Sequence, residues 1–169
     1  MNQLYKLFLT LNATSWVIVT YVIKEGWTIL CMPTWIFGFL LLLVPIILSF
    51  ASILMTLLFD KDTLEQCDEL QEVNNSFLPT YLGYFFVGLG IDKVQHLAFV
   101  YLIIFVFTFV AHTQYFNPLL LLFGYRFYDI KSEAGTRVFV ISKRKFRNAK
   151  EASFSNLRRI NDTTYIDWG

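Results

Sequence analysis

Two cysteines and two histidines are all that this 169-residue chain offers to thiol or imidazole chemistry. Cys31 and Cys67 are far apart and form no motif, so both read as free thiols and no disulfide framework is expected. His96 and His112 lie near opposite ends of one apolar run, too far apart to share a metal ion. His96, beside Gln95 and Asp92, reads as a hydrogen-bonding residue at an interface rather than a proton relay. There is no HExxH, no CxxC, no phosphate-binding glycine loop, no nucleophile elbow and no EF-hand loop. The sequence therefore predicts no catalytic residue, no cofactor, no metal site and no enzyme. Charge is scarce as well, at 16% of residues. A single lysine, Lys6, sits by the first apolar run, but no small-x-small cleavage motif follows, so that run reads as a retained span and not a removed signal peptide.

Hydrophobic residues make up 56% of the chain and aromatics 18%, gathered in uninterrupted runs. A soluble chain of this size would need a large core to bury them, so they predict a small α-helical integral membrane protein. Four transmembrane helices are expected in residues 1–123, over about 4–23, 35–59, 77–91 and 94–115, with an acidic loop at 60–76. The first carries a polar patch at its middle, and Asn12, Thr14 and Ser15 should face another helix, where amides and hydroxyls can bond across. Pro45 should kink the second, as a fixed bend or as a hinge, with Ser49 and Ser52 helping to satisfy carbonyls. The third is short of the ~20 residues a span needs. Its glycines Gly83 and Gly88 suit close packing, and a re-entrant course is the alternative. Asp92-Lys93 reads as the turn into the fourth. In the 60–76 loop, Leu64, Leu70 and Val73 suggest a short amphipathic helix, either a solvated connector or a docking surface for a basic partner such as the chain's own tail.

The net charge of +1 conceals an asymmetry. Ten of the fourteen Lys and Arg residues follow Gly124: Arg126, Lys131, Arg137, Lys143, Arg144, Lys145, Arg147, Lys150, Arg158 and Arg159. By the excess of Lys and Arg in cytoplasmic loops, this end is expected in the cytoplasm. The stretch from His96 onward runs from a membrane helix into this soluble part. Asn117-Pro118 should stop the helix, and Gly124 should release the chain into Tyr125, Arg126 and Phe127, so these six residues are the expected joint between membrane and tail. Residues 124–131 and 137–143 read as a β-hairpin around a glycine-containing turn. Phe139 and Ile141 point to one face and Val138 and Val140 to the other, so both faces want cover. A lone hairpin is marginal in water, and the tail is expected to need a partner. Residues 149–160 read as a helix, and 161–169 as otherwise disordered. Phe139, Ile141, Lys143, Arg144, Lys145, Arg147, Tyr165 and Trp168 are the candidate partner contacts. The basic run 143–147 could meet anionic lipid, an acidic protein surface or nucleic acid. No nucleic-acid-binding motif surrounds it, so direct nucleic-acid binding is not expected.

The layout of four spans, the joint NPLLLLFGYRFYDI, and the hairpin end VFVISKRK with its small basic tail resemble the KwaA family, the membrane component of the two-protein Kiwa anti-phage system of bacteria. Asn117 to Lys145 carries the most specific part of the likeness. The resemblance implies a tetrameric, multi-pass inner-membrane protein that senses phage attachment or injection. It also implies a cytoplasmic side that binds a soluble effector, KwaB, acting on phage DNA. The residues and the resemblance together predict a non-enzymatic, oligomeric membrane sensor or scaffold that recruits a soluble effector. The alternative is a pore-forming or membrane-perturbing effector, in which Gly83, Gly88 and the polar patch of the first span line an opening between subunits.

Overall fold

A computed structural model describes residues 3–29, 32–64, 67–76, 78–111, 117, 119–132 and 135–169. Cys31, Glu65, Phe77, His112 with the rest of 112–116, Pro118 and the turn residues 133–134 lie outside the described residues. The chain divides into two compact units, one of Asn2–Ala51 with Phe77–Asn117 and one that includes Ser52–Ser76 and Pro118–Gly169.

The first unit is helical. Its elements are α1 (Gln3–Lys24), most of α2 (Thr34–Met55), α3 (Leu78–Gly90) and α4 (Val94–Ala111). Three stretches, Gln3–Lys24, Thr34–Leu58 and Val94–Ala111, are helices long and apolar enough to cross a membrane. The expected four-span fold does not hold. The 13 residues of α3 rise only about 20 Å, well short of a hydrocarbon core, and Pro79 and three glycines limit the run of good helix formers there.

Helix α1 sits against both α3 and α4. Gly88 lets α3 approach closely, since a Cβ there would lie 2.8 Å from Thr20 Cβ and 2.9 Å from the Val17 carbonyl oxygen. The Trp16 and Phe85 rings meet edge to face at 5.2 Å. Toward α4, Thr14 Oγ1 lies 3.2 Å from the Tyr101 hydroxyl, and the Tyr84 and Thr108 hydroxyls are 3.0 Å apart between α3 and α4. Asp92 and Lys93 lie in the short connection between α3 and α4. Lys24, at the end of α1, donates to the Ile91 carbonyl at 2.8 Å and to Asp92 at 3.2 Å, placing a cation where the carbonyls at the C-terminus of α3 are exposed.

The second unit is a six-stranded mixed sheet. Its strands are β1 (Lys61–Leu64), β2 (Cys67–Glu72), β3 (Arg126–Ser132), β4 (Arg137–Ser142), β5 (Phe154–Arg159) and β6 (Thr164–Asp167), in the order β1-β5-β6-β4-β3-β2. All neighbours are antiparallel except β4 and β6. This corrects three expectations. The 60–76 loop is not a helix but supplies both outer strands. Residues 149–160 form a single 3-10 turn at Ala149–Glu151 followed by β5, and 161–169 contain β6. The basic tail is therefore no lone hairpin, and its strands find their neighbours in the same chain.

The order of the strands dictates a further property. β1 and β2 occupy opposite edges, yet Leu64 and Cys67 are three Cα steps apart, at most about 11 Å. A flat six-stranded sheet would separate its edges by about 24 Å at ~4.8 Å per strand, so this sheet must curl until those two strand ends come within that distance, as a partly open barrel. The curl encloses Tyr128, Ile130, Val138, Val140, Ala152, Phe154 and Leu157, with Leu64, Cys67, Leu70, Phe146 and Tyr165 packed against them. Two bulges adjust the pattern. The β2–β3 register shifts between Cys67 and Glu69, so Cys67 and Leu70 both reach this core, and the β1–β5 register shifts so that Phe154 and Leu157 do as well. Such bulges bend strands and raise local twist, which is what closure requires. On the opposite face, Phe127, Ile141 and Ile166 line up across three adjacent strands and are also buried.

Candidate functional site

The polar patch of α1 is consumed within the helical unit. Asn12 is 1% exposed, and its Nδ2 donates to Ser49 Oγ at 2.9 Å. Asn117 Nδ2 donates to the same oxygen at 2.6 Å, while Ser49 donates to the Pro45 carbonyl at 2.7 Å. One serine, four residues past the proline of α2, thus joins α1, α2 and the start of the joint. Thr14 is buried and also bonds the Thr10 carbonyl, and Ser15 bonds back to Asn12 of its own helix. Gly88 forms the close contact described above, whereas nothing lies within 4 Å of a Cβ built at Gly83.

The joint continues into a four-residue helix, α5 (Leu119–Leu122). It ends in a Schellman cap. Gly124 has φ +80°, its N–H bonds the Leu121 carbonyl at 3.0 Å, and the Tyr125 N–H reaches back to Leu120 at 3.0 Å. A left-handed residue in this position favours glycine. Tyr125 is buried beneath Lys143, whose Nζ lies 4.8 Å from the ring centre. Burial, reinforced by the charge of Asp167, pushes its phenol above the usual tyrosine range. Arg126 pairs with Glu72 at 2.7 Å. Phe127 is buried, and its N–H donates to Asn74 Oδ1 at 2.8 Å.

Across the sheet, acidic β2 meets basic β3 and β4. Glu69 pairs with Lys131 at 3.2 Å and Arg137 at 3.3 Å, and Arg137 also reaches Asp129 at 3.4 Å. The acidic loop therefore docks on the chain's own basic strands. Among the expected partner contacts, Ile141 is 2% exposed and serves the buried row with Phe127 and Ile166. Phe139 and Tyr165 are half-buried. Trp168 donates its indole N–H to Thr56 Oγ1 at 3.0 Å. Arg144 is pinned, with Nε 2.9 Å from Asp167 Oδ2, Nη2 2.9 Å from the Ser153 carbonyl, and its guanidinium over the rings of Phe146 and Phe154. Phe146 wedges edge-on against Tyr128 and Phe154.

The segment after β4 therefore alternates. Arg144 and Phe146 turn into the unit, and Lys143, Lys145 and Arg147 between and beside them are exposed. Among the described residues none of these three pairs with a carboxylate, although Arg126, Lys131, Arg137, Arg144 and Arg159 all do. The result is a short ridge of unneutralised cations on a rigid base. Sequence reasoning found the run but not its alternation, because the anchor for Arg144 is Asp167, 23 residues away. Ser49, Asn74 and Thr56 were also missed as nodes. Of these only Ser49 left a signal, as a hydroxyl one turn past the proline.

Cys67 is a free thiol within hydrogen-bonding distance of the Ala152 carbonyl, at 3.2 Å. Burial, with Asp68 nearby, pushes it up, the opposite of what a reactive thiolate needs. Among the described residues no group of three His, Cys, Asp or Glu side chains could hold a metal ion. No curated protein and no solved structure matches the chain. Residues 5–166 match the sequence family described as "Anti-phage protein KwaA", and with nearly its whole length covered the chain belongs to the KwaA anti-phage family.

Proposed function

We propose that this anti-phage protein is a membrane-embedded, non-enzymatic sensor and scaffold. Its helices lie in the bacterial inner membrane, its small barrel stands in the cytoplasm, and the exposed ridge Lys143, Lys145 and Arg147 recruits a soluble, acidic-surfaced effector of the KwaB kind. The observation that carries this reading is the division of the tail's cations. Arg126, Lys131, Arg137, Arg144 and Arg159 are each neutralised by a carboxylate of the chain, whereas Lys143, Lys145 and Arg147 stand together on one exposed segment with no carboxylate partner among the described residues. Charge complementarity of this sort steers association and selects partners. Three helices able to cross a membrane support the location. β1 and β2 share a sheet with β3 to β6, so in this reading residues 60–76 and 124–169 lie on one side of the membrane, short α3 and α4 together leave and return to that side, and the excess of Lys and Arg there favours the cytoplasm. A homotetramer, as the family resemblance implies, would present four ridges and gain from multivalency.

The pore alternative draws no support from the first helix, whose Asn12 and Thr14 are bonded within the chain. The recruitment reading is tested by the triple charge reversal Lys143→Glu, Lys145→Glu and Arg147→Glu. The variant, expressed with the neighbouring genes and purified in mild detergent, should insert normally and lose its soluble companion. Retention of a stoichiometric companion at wild-type level refutes the assignment of the ridge.

A further inference from the structure

Among the described residues, three buried polar atoms of the helical unit have no hydrogen-bond partner: Asn12 Oδ1, Trp16 Nε1 and the Tyr81 hydroxyl. Their residues are only 1%, 8% and 5% exposed. Asn12 and Trp16 are one turn apart on α1. Trp16 meets Phe85 of α3, and Tyr81 lies one turn before Phe85. Gly88, about a turn beyond Phe85, sits on Val17 and Thr20. The two helices therefore run parallel and in step, and Tyr81 falls level with Asn12. Helical side chains lean toward the N-terminus, which carries the indole of Trp16 down toward the same level.

The three groups are chemically complementary to one kind of guest. Asn12 commits its amide nitrogen to Ser49 and leaves an acceptor. The indole offers only a donor, and a phenol can be either. The neighbouring Tyr84 hydroxyl is already engaged by Thr108. We infer that an internal water molecule occupies the α1–α3 seam, donating to Asn12 Oδ1, accepting from Trp16 Nε1 and exchanging a hydrogen bond with the Tyr81 hydroxyl. Buried waters make two to four such bonds to groups that would otherwise be unpaired, and the penalty for leaving those groups bare is severe where no bulk water can reach them. The seam would then be wet one turn from the Ser49 node that ties α1 to α2.

The sign of one conservative substitution separates a wet seam from a dry one. In a dry seam Tyr81→Phe removes an unsatisfied hydroxyl and raises the thermal midpoint. In a wet seam it takes a partner from the water and lowers the midpoint, by about 2–4 °C on the scale of one hydrogen bond in a chain of this size. The measurement uses the full chain in lipid nanodiscs. Fluorescence and Raman difference spectra of wild type minus Trp16→Phe supply an independent readout, because the indole N–H reports whether it is hydrogen-bonded. A lowered midpoint with a bonded indole is the expected result. A midpoint that stays or rises, or an indole N–H with no acceptor, overturns the inference.

Discussion

The node around Asp167 gives the sharpest test of how the barrel is held. Its carboxylate is 1% exposed and lies 2.9 Å from Arg144 Nε. It also accepts from Ser142 Oγ at 2.6 Å and from the Gly169 N–H at 3.0 Å. Ser142 is fully buried, so Asp167→Ala strands its hydroxyl and leaves Arg144 without its anion. A hydrogen bond to a charged group contributes about 1.5–3 kcal/mol. The Arg144 side chain is 38% exposed and can rehydrate, which holds its share to roughly 1 kcal/mol. Together these give a loss of about 3 kcal/mol for Asp167→Ala. Asp167→Asn keeps an acceptor for Ser142 and should lose about half of that. Because β6 lies between β5 and β4, the loss acts on the middle of the sheet and not on a fraying end. Limited proteolysis of the full chain in detergent reads it directly. Where cleavage follows the opened population, 3 kcal/mol raises the rate of cutting within 124–169 by about 100-fold. The order should be wild type, then Asp167→Asn, then Asp167→Ala. Cleavage of Asp167→Ala within about twofold of wild type would refute the node as a structural keystone.

Two further outcomes follow from the joint and the core. Gly124→Ala places a Cβ on a residue at φ +80° and should cost about 1 kcal/mol, seen as a lower unfolding midpoint. No loss would mean the cap is not formed. Tyr125, Tyr128 and Tyr165 are all pushed up, each chiefly by burial. Above the ordinary tyrosine value of ~10 the unfolded chain releases these protons first, so the folded state binds more of them and stability falls as pH rises. Denaturant unfolding should weaken from about pH 10 upward, with the phenolate absorbance lagging behind that of the unfolded chain.

The apolar runs at 3–24, 34–58 and 94–111 were legible because a helix in lipid needs only composition and length, and both are local. The β3–β4 hairpin was legible from alternating side chains and a glycine turn. What misled was spacing. Leu64, Leu70 and Val73, and the apolar positions between Ala149 and Ile160, read as helical faces. In the sheet, Cys67 with Leu70 and Phe154 with Leu157 are pairs three residues apart that reach one core, because a bulge between them inserts the extra residue. A bulged strand and one turn of amphipathic helix share the same apolar signature, and only a partner strand decides between them. Here the partners lie far off in sequence, with β1 against β5 and β2 against β3.

The same long reach explains why the site was only half readable. A run of basic residues is visible in any sequence, but which of them are free to act depends on where the carboxylates fold. Glu69 and Glu72 come from before α3 and neutralise Arg126, Lys131 and Arg137. Asp167 comes from the end of the chain and takes Arg144. Within the run 143–147, setting Arg144 aside leaves Lys143, Lys145 and Arg147. A tail that read as a lone hairpin thus finds its cover within the chain, from strands on either side of α3 and α4. Any partner it binds is then bound by a preformed surface and owes little to coupled folding, so recruitment should be set by charge and lose strength steeply with added salt.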